Sequence, residues 1–404
     1  MRHKSHQVIR HALLGQKDGN EMATYAQIAR AHLGNLGKVS LGFYPTPFHK
    51  LESISSAYDV NLWIKREDFS GSTLFGGNKI RKLEYLLHDA KKQGCDTVFT
   101  YGATQSNHVM ETATAARRCG MRPVAYLGAI VEPQPNDVRA NLLLDTILGA
   151  EIHILPSCGR STKETMEAND HLFQAHIAQL AAQGHKVYNI PIGGSTPIGA
   201  AGFAECYIET MEQCESAGLA CDYLVTATGS GGTLAGLAAG AAMLHDDSTQ
   251  LIGIQVGKKD PATYGQKIVE LANSVLETAG AQERIDKLPF VIHSEYVGPG
   301  YEKPYKEAND DIRYLARTEG IFTDPVYSGK AFHGLMDLIR TGSIPKGSNV
   351  VFLHTGGATA LFSEPDIIGD LNPENRGIYT QSDSPKKSSR NIWSLAVVSV
   401  DQRY

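Results

Sequence analysis

The arrangement in this sequence best suited to covalent chemistry is a glycine pair that delivers one lysine to the start of a helix, Gly76-Gly77-Asn78-Lys79, followed by Ile80-Arg81-Lys82-Leu83-Glu84-Tyr85. The two glycines permit unusual backbone angles just ahead of the helix. Behind the lysine, Ile80, Leu83, Leu86, Leu87 and Ala90 recur at helical spacing, so a packed element holds it. A lysine fixed in this way suits nucleophilic attack on a carbonyl. A second arrangement is Thr228-Gly229-Ser230-Gly231-Gly232-Thr233, which follows the strand expected over Asp222 to Thr226 and precedes a helix expected from Leu234. Its backbone N–H groups and hydroxyls can converge on an anion at a helix N-terminus. The loop has no Gly-Lys-Ser/Thr ending and no acidic residue at the dinucleotide spacing, which disfavours ATP and NAD.

Together, an amine for an aldehyde and a cup for a dianion point to pyridoxal phosphate. Further loops of the same composition are Gly102-Ala103-Thr104-Gln105-Ser106-Asn107-His108, Gly193-Gly194-Ser195-Thr196 and His354-Thr355-Gly356-Gly357. The elements that must position them alternate regularly. Val60 to Lys65, Thr97 to Tyr101, Pro123 to Leu127, Glu151 to Leu155, Lys186 to Ile190 and Leu251 to Val256 read as strands. Helices are expected over Asn141 to Leu148, from about Thr162 and from Pro197, and Leu41 to Tyr44 reads as strand and loop. Such alternation means parallel sheets joined by right-handed crossovers, with ligands at the carboxyl ends of the strands.

Composition is that of a globular protein with room for two domains: 404 residues, 42% hydrophobic and 20% charged. A net charge of -5 and the absence of a basic stripe argue against nucleic acid. Six scattered cysteines without a CxxC pair fit a reducing compartment, neither a disulfide framework nor a zinc site, and no metal is expected. Apolar windows such as Leu234 to Leu244 fall well short of the roughly 20 residues that span a bilayer. The basic first seventeen residues read as an N-terminal helix continuing through Ala23 to Leu33, with a transit peptide as the alternative.

From about Gly42 to Phe362 the chain resembles the fold-type II pyridoxal-phosphate enzymes, and within them the family of D-cysteine desulfhydrase and 1-aminocyclopropane-1-carboxylate deaminase. The resemblance rests on Lys65-Arg66-Glu67-Asp68, Gly76-Gly77-Asn78-Lys79 with Arg81-Lys82-Leu83-Glu84, Gln105-Ser106-Asn107, Pro191-Ile192-Gly193-Gly194-Ser195, the glycine-rich cup, Asp324-Pro325-Val326-Tyr327-Ser328-Gly329-Lys330 and His354-Thr355-Gly356-Gly357. It implies a tryptophan-synthase-β-like fold of two three-layer αβα domains with mainly parallel sheets: a large cofactor domain over 39–82 and 195–369, a small domain over 83–194, an N-terminal extension over 1–38 and a tail over 370–404. A cytoplasmic homodimer is the family expectation. The resemblance makes Lys79 the Schiff-base lysine, Lys82 a phosphate ligand, Asn107 the partner of the cofactor's phenolic oxygen and Ser106 a neighbour of the substrate's α-carbon and carboxylate. It makes Tyr301 and Tyr327 the active-site tyrosines.

Deaminases of the family follow Asp-Pro-Val-Tyr with a glutamate facing the pyridine nitrogen; here that position is Ser328, and Thr355 is offered instead. A neutral hydroxyl stabilises pyridinium far less than a carboxylate. The swap, together with His108 as a further substrate contact, favours β-elimination of a β-substituted amino acid, D-cysteine foremost. The expected base is Lys79 or Ser106, and the expected acid is Tyr327 or Tyr301. L-cysteate sulfo-lyase, aminocyclopropane carboxylate deaminase and a non-catalytic cofactor carrier are the alternatives. The Ser70 to Phe75 segment and Thr104 depart from the family pattern.

Overall fold

Strand and helix do alternate along the chain in the computed structural model, which describes residues 24–71, 76–129 and 138–363. The extension before residue 24, Ser72 to Phe75 and the tail beyond Asp370 lie outside the described residues. In chain order, α1 (Tyr25–Gly34) precedes β1 (Phe48–Lys50), α2 (Glu52–Tyr58), β2 (Asn61–Arg66) and α3 (Lys79–Lys92), which begins on the candidate lysine. There follow β3 (Thr97–Ala103), α4 (Asn107–Arg118), β4 (Arg122–Ala129), α5 (Ala140–Ile147), β5 (Glu151–Pro156), α6 (Thr162–Ala168), α7 (Asp170–Ala182), β6 (Val187–Ile190) and α8 (Pro197–Ser216). The remainder is β7 (Tyr223–Thr228), α9 (Gly232–Met243), β8 (Gln250–Gln255), α10 (Pro261–Ala279), β9 (Phe290–His293), α11 (Lys306–Glu319), α12 (Ser328–Arg340) and β10 (Asn349–His354).

The strands form a six-stranded sheet, β1-β2-β10-β7-β8-β9, and a four-stranded sheet, β5-β4-β3-β6. Among the described strands only the edge pair β1 and β2 is antiparallel. Side chains alternate across a strand, so neighbouring residues serve opposite layers. Leu224 and Val351 face a core with Phe203, Leu237 and Ile268 of α8, α9 and α10. Val225 and Phe352 face the other core, with Leu315 of α11 and Phe332 and Leu335 of α12. The smaller sheet is covered likewise, by α3 and α4 over Val98 and Ile190, and by α6 and α7 over Phe99 and Val124. Each sheet is therefore the middle of a three-layer αβα stack. Residues 82 and 83, where the domain change is expected, lie inside the continuous helix α3.

Three local expectations are corrected. The helix from Thr162 is two helices, because Asn169 (φ -112°, ψ 11°) leaves the helical region. Leu41 to Tyr44 is not a strand: Leu41 and Gly42 give their N–H groups to Glu84 Oε1 at 2.8 and 2.9 Å, so a side chain replaces the ladder. The helix expected from Leu234 opens at Gly232, after Gly231 in the left-handed region at φ +88°. All six thiols are unpaired. Among the described residues, no helix is long and apolar enough to cross a membrane.

Candidate active site

From Ile80 to Leu87 helix α3 is buried on both faces. Ile80, Leu83, Leu86, Leu87 and Ala90 form the apolar side, and Arg81, Lys82 and Glu84 are just as inaccessible. Arg81 Nε meets Glu67 Oε2 at 2.6 Å, and its Nη2 lies 2.8 Å from Glu209 Oε1. Lys65 also pairs with Glu209, and donates to Gln213 Oε1 at 2.6 Å and to the Thr46 carbonyl at 3.1 Å. Two cations face two carboxylates with their hydrogen-bonding capacity met, the condition under which buried charge is tolerated. This network anchors the helix whose first residue is Lys79.

Before it, Ser70 Oγ accepts from Gly77 N at 3.1 Å, and Gly77 bridges to Gly356 beyond β10. Asn78 N donates to the Thr355 carbonyl at 3.1 Å. Asn78 then works at both ends of its amide: Oδ1 accepts from Lys79 Nζ at 2.6 Å, and Nδ2 donates to Thr233 Oγ1 at 3.1 Å. The lysine amine is thereby tied to the glycine-rich cup. Burial lowers the Lys79 pKa, against the pull of Glu111 and Asp324.

The cup is built from two loops and the first turn of α3. Lys82 Nζ donates to the Gly193 carbonyl at 3.0 Å, Ser195 Oγ to Ser230 Oγ at 2.7 Å, and Gly231 and Gly232 open α9. A Cβ on Gly232 would lie 2.5 Å from Ser195 Oγ and 2.9 Å from Lys82 Nζ, so glycine there keeps a cradle open between a helix N-terminus, a hydroxyl and an amine. Burial first, and Lys79 second, hold the Lys82 amine well below its ordinary pKa. A dianion placed in the cradle would restore that proton, since opposite charge favours the charged form. The donor set thus fits the phosphate of pyridoxal phosphate. Thr228 belongs to the wall behind: its buried hydroxyl lies 2.8 Å from Tyr264 OH, which also donates to the Gly229 carbonyl.

Ser106 caps α4 by accepting from Val109 N at 3.4 Å. Asn107 Oδ1 accepts from Asn141 Nδ2 at 2.7 Å and Thr359 Oγ1 at 3.2 Å, leaving its amide nitrogen against Gly357. His108, expected to touch substrate, is instead buried, with Nε2 2.9 Å from Thr100 Oγ1. Burial, then Lys79 and Lys82, depress its pKa well below the usual range, so it backs the cup as a neutral ring. Tyr301 and Tyr327 meet hydroxyl to hydroxyl, with the Tyr327 ring beside Gly229. Burial raises both their pKa values.

Ser328 is fully buried, and its hydroxyl lies 2.6 Å from Asp324 Oδ1 and 3.1 Å from the Gly356 carbonyl. Thr355 lies in the loop after β10, nine-tenths buried. Two carboxylates escape sequence reasoning. Asp324, buried, accepts the N–H groups of Val326, Tyr327 and Ser328 at 2.7 to 2.8 Å. Glu111, buried in α4, accepts those of Lys79 and Ile80. The signal for Asp324 was its Asp-Pro-Val-Tyr turn; Glu111 carried none.

A separate polar cluster joins Glu151 and His153 of β5 to His176 of α7, with Glu151 Oε1 2.8 and 3.4 Å from the two imidazoles. The Arg122 guanidinium takes the other carboxylate oxygen and Tyr126 OH lies 2.7 Å from His176 Nδ1, which closes the cluster as a hydrogen-bonded ion-pair network.

Residues 39–356 match the family model described as pyridoxal-phosphate dependent enzyme. A Thermotoga maritima protein provisionally named a 1-aminocyclopropane-1-carboxylate deaminase is 38% identical over 328 residues, covering 81% of this chain and 98% of that one. A D-cysteine desulfhydrase of Serratia proteamaculans is 37% identical over 324 residues, covering 79% and 93%. A crystal structure of an ACC deaminase homologue superposes with a TM-score of 0.75 at 34% identity, covering 85% of this chain and 99% of that one.

Proposed function

We propose, because the chain belongs to the pyridoxal-phosphate dependent enzymes and within them to the group of 1-aminocyclopropane-1-carboxylate deaminases and D-cysteine desulfhydrases, that it cleaves D-cysteine to pyruvate, ammonia and hydrogen sulfide. Pyridoxal phosphate, the family's cofactor, supplies an electron sink for negative charge developing at the substrate's α-carbon. In this reading Lys79 holds the aldehyde, Asn107 the phenolic oxygen, Thr355 the ring nitrogen, and Lys82 with Ser195, Ser230 and the Gly231-Gly232-Thr233 turn the phosphate. The start of α4, with Ser106 and Asn107, takes the substrate carboxylate.

Burial lowers the Lys79 pKa, which favours the unprotonated amine that a base for the α-proton must be. Ser106 assists. The tyrosines, kept protonated by burial, form a relay in which Tyr301 supports Tyr327 as the donor to the departing sulfur. Water enclosed with the remaining enamine then yields pyruvate and ammonia.

The observation that carries the choice of substrate is Ser328. Its hydroxyl is engaged by Asp324 and Gly356, so the residue after Tyr327 offers no anion to the site. Expulsion of a β-thiolate requires a weaker electron sink than opening a cyclopropane, and a neutral ring partner is compatible with it. The test is sulfide and pyruvate release by the purified holoenzyme from D-cysteine, beside L-cysteine, L-cysteate and 1-aminocyclopropane-1-carboxylate. D-Cysteine is expected to turn over at least tenfold faster than the others. Sulfite from L-cysteate, or 2-oxobutanoate from the cyclopropane, at the higher rate would displace this substrate in favour of that one.

A further inference from the structure

The lysine helix begins without the usual cap. Residue Asn78 stands at the N-cap of α3, yet its side chain is spent on Lys79 Nζ and Thr233 and caps nothing. The first N–H groups of a helix have no intrahelical partner and need one when buried. Here the partner comes from another helix: Glu111 Oε2 lies 3.0 Å from Lys79 N and 3.2 Å from Ile80 N. The carboxylate is 2% exposed. It also explains a glycine, because a Cβ on Gly77 would stand 2.3 Å from Glu111 Oε1. Since Gly77 is not among the positive-φ glycines, the close approach of this carboxylate is what excludes a side chain there.

We propose that Glu111 is a positioning residue of the reaction, one that fixes the first turn of α3 and supplies the negative charge against which the Lys79 nitrogen keeps or gives up its proton. The inference rests on the reading of Lys79 as the lysine that holds the cofactor. The charged groups that bear on the pair are few. Lys82 faces Glu111 from α3, Asp324 faces Lys79 from the turn before α12, and His108 on Glu111's own helix is neutral. Burial pushes the Glu111 pKa up to about 7, with Lys79 opposing, while burial lowers that of Lys79. Glu111 therefore gains its charge as pH rises through neutrality, and with it favours the protonated form of the Lys79 side-chain nitrogen.

The experiment uses the holoenzyme and its visible absorbance, which reports protonation of the lysine-linked nitrogen independently of turnover. Glu111→Gln keeps an oxygen for the two N–H groups and removes the charge. Its absorbance midpoint is expected about one pH unit below that of the parent, the size of effect an opposite charge a few ångströms away produces. A midpoint within a few tenths of a unit of the parent overturns the proposal, because a merely structural role moves the melting temperature alone. If Glu111→Gln does not accumulate as folded protein, Gly77→Ala serves instead: its Cβ displaces the carboxylate without deleting it, the same downward shift is expected, and an unmoved midpoint is equally fatal. Lys79→Ala separates the two readings. Loss of the lysine-linked absorbance in that variant with an unmoved Glu111→Gln midpoint defeats only the present inference; retention of that absorbance in Lys79→Ala defeats the assignment of Lys79 itself.

Discussion

Tyr327 and Tyr301 share a hydrogen bond between hydroxyls that burial keeps protonated, and the Tyr327 ring lies against the cup at Gly229. If Tyr327 protonates the leaving group, Tyr327→Phe lowers kcat for D-cysteine by about 10²-fold, a typical loss for a general acid, with cofactor absorbance unchanged. Tyr301→Phe, which acts through Tyr327, costs less. Pyruvate release under saturating substrate checks both, and equal rates in parent and Tyr327→Phe remove the tyrosine from the mechanism. At this scale, residues flanked by glycines or set in loops, Lys79, Ser106 and Asn107 among them, were singled out by the sequence as candidates. Glu111 was not. A carboxylate in the middle of a helix ordinarily faces water, and only the packing of α4 against the start of α3 places this one out of solvent. His108 shows the mirror case: it stands beside Ser106 and Asn107 in the sequence, but one residue along a helix turns the side chain by about 100°, here into the interior against Thr100.

Helix α3 shows the limit of periodicity at the scale of an element. Its apolar stripe is plain in the sequence, yet its charged side is equally buried, against Glu67 at the end of β2 and Glu209 in α8. Burial raises the Glu209 pKa, but Arg81 and Lys65 outweigh it and leave the value at about 2, below the ordinary 4.5. A depressed carboxylate contributes stability that is fully present above 4.5 and lost as pH falls toward 2. Glu209→Gln leaves two buried cations short of charge, which costs about 3–5 kcal/mol at neutral pH. The stability gap between parent and variant should narrow as pH falls from about 4.5 to about 2. Urea unfolding at neutral and acid pH measures it, and a gap independent of pH would show that the network does not depend on the Glu209 charge.

For the molecule as a whole, the decisive placement is that of β10. This strand, the last among the described residues, lies between β2 and β7, with Val351 opposite Trp63 on one side and Leu224 on the other. Val350, Val351 and Phe352 are fully buried and serve both cores of the large sheet. A chain ending at Lys346 therefore lacks the strand that joins β1-β2 to β7-β8-β9. Its expected behaviour is insolubility or a melt without a cooperative transition; a cooperative melt near that of the parent would mean that the sheet closes without β10. The same placement brings Thr355, Gly356 and Gly357 to Asn78, Asp324 and Asn107, so the site cannot be assembled until the chain extends past β10.

The sequence alone determined what depends on neighbours along the chain: most of the alternating strands and helices, that a glycine pair precedes a lysine at a helix start, and that a glycine-rich turn precedes α9. Family motifs carried the kind of chemistry. Tertiary structure decided the strand order, the inward turn of His108 and Thr228, the engagement of the Ser328 hydroxyl by Asp324, and the arrival of Glu111 at the first turn of α3. The physical reason is that periodicity and turn chemistry act within a few residues, whereas the burial of a polar group is set by whichever distant element packs against it and satisfies its hydrogen bonds.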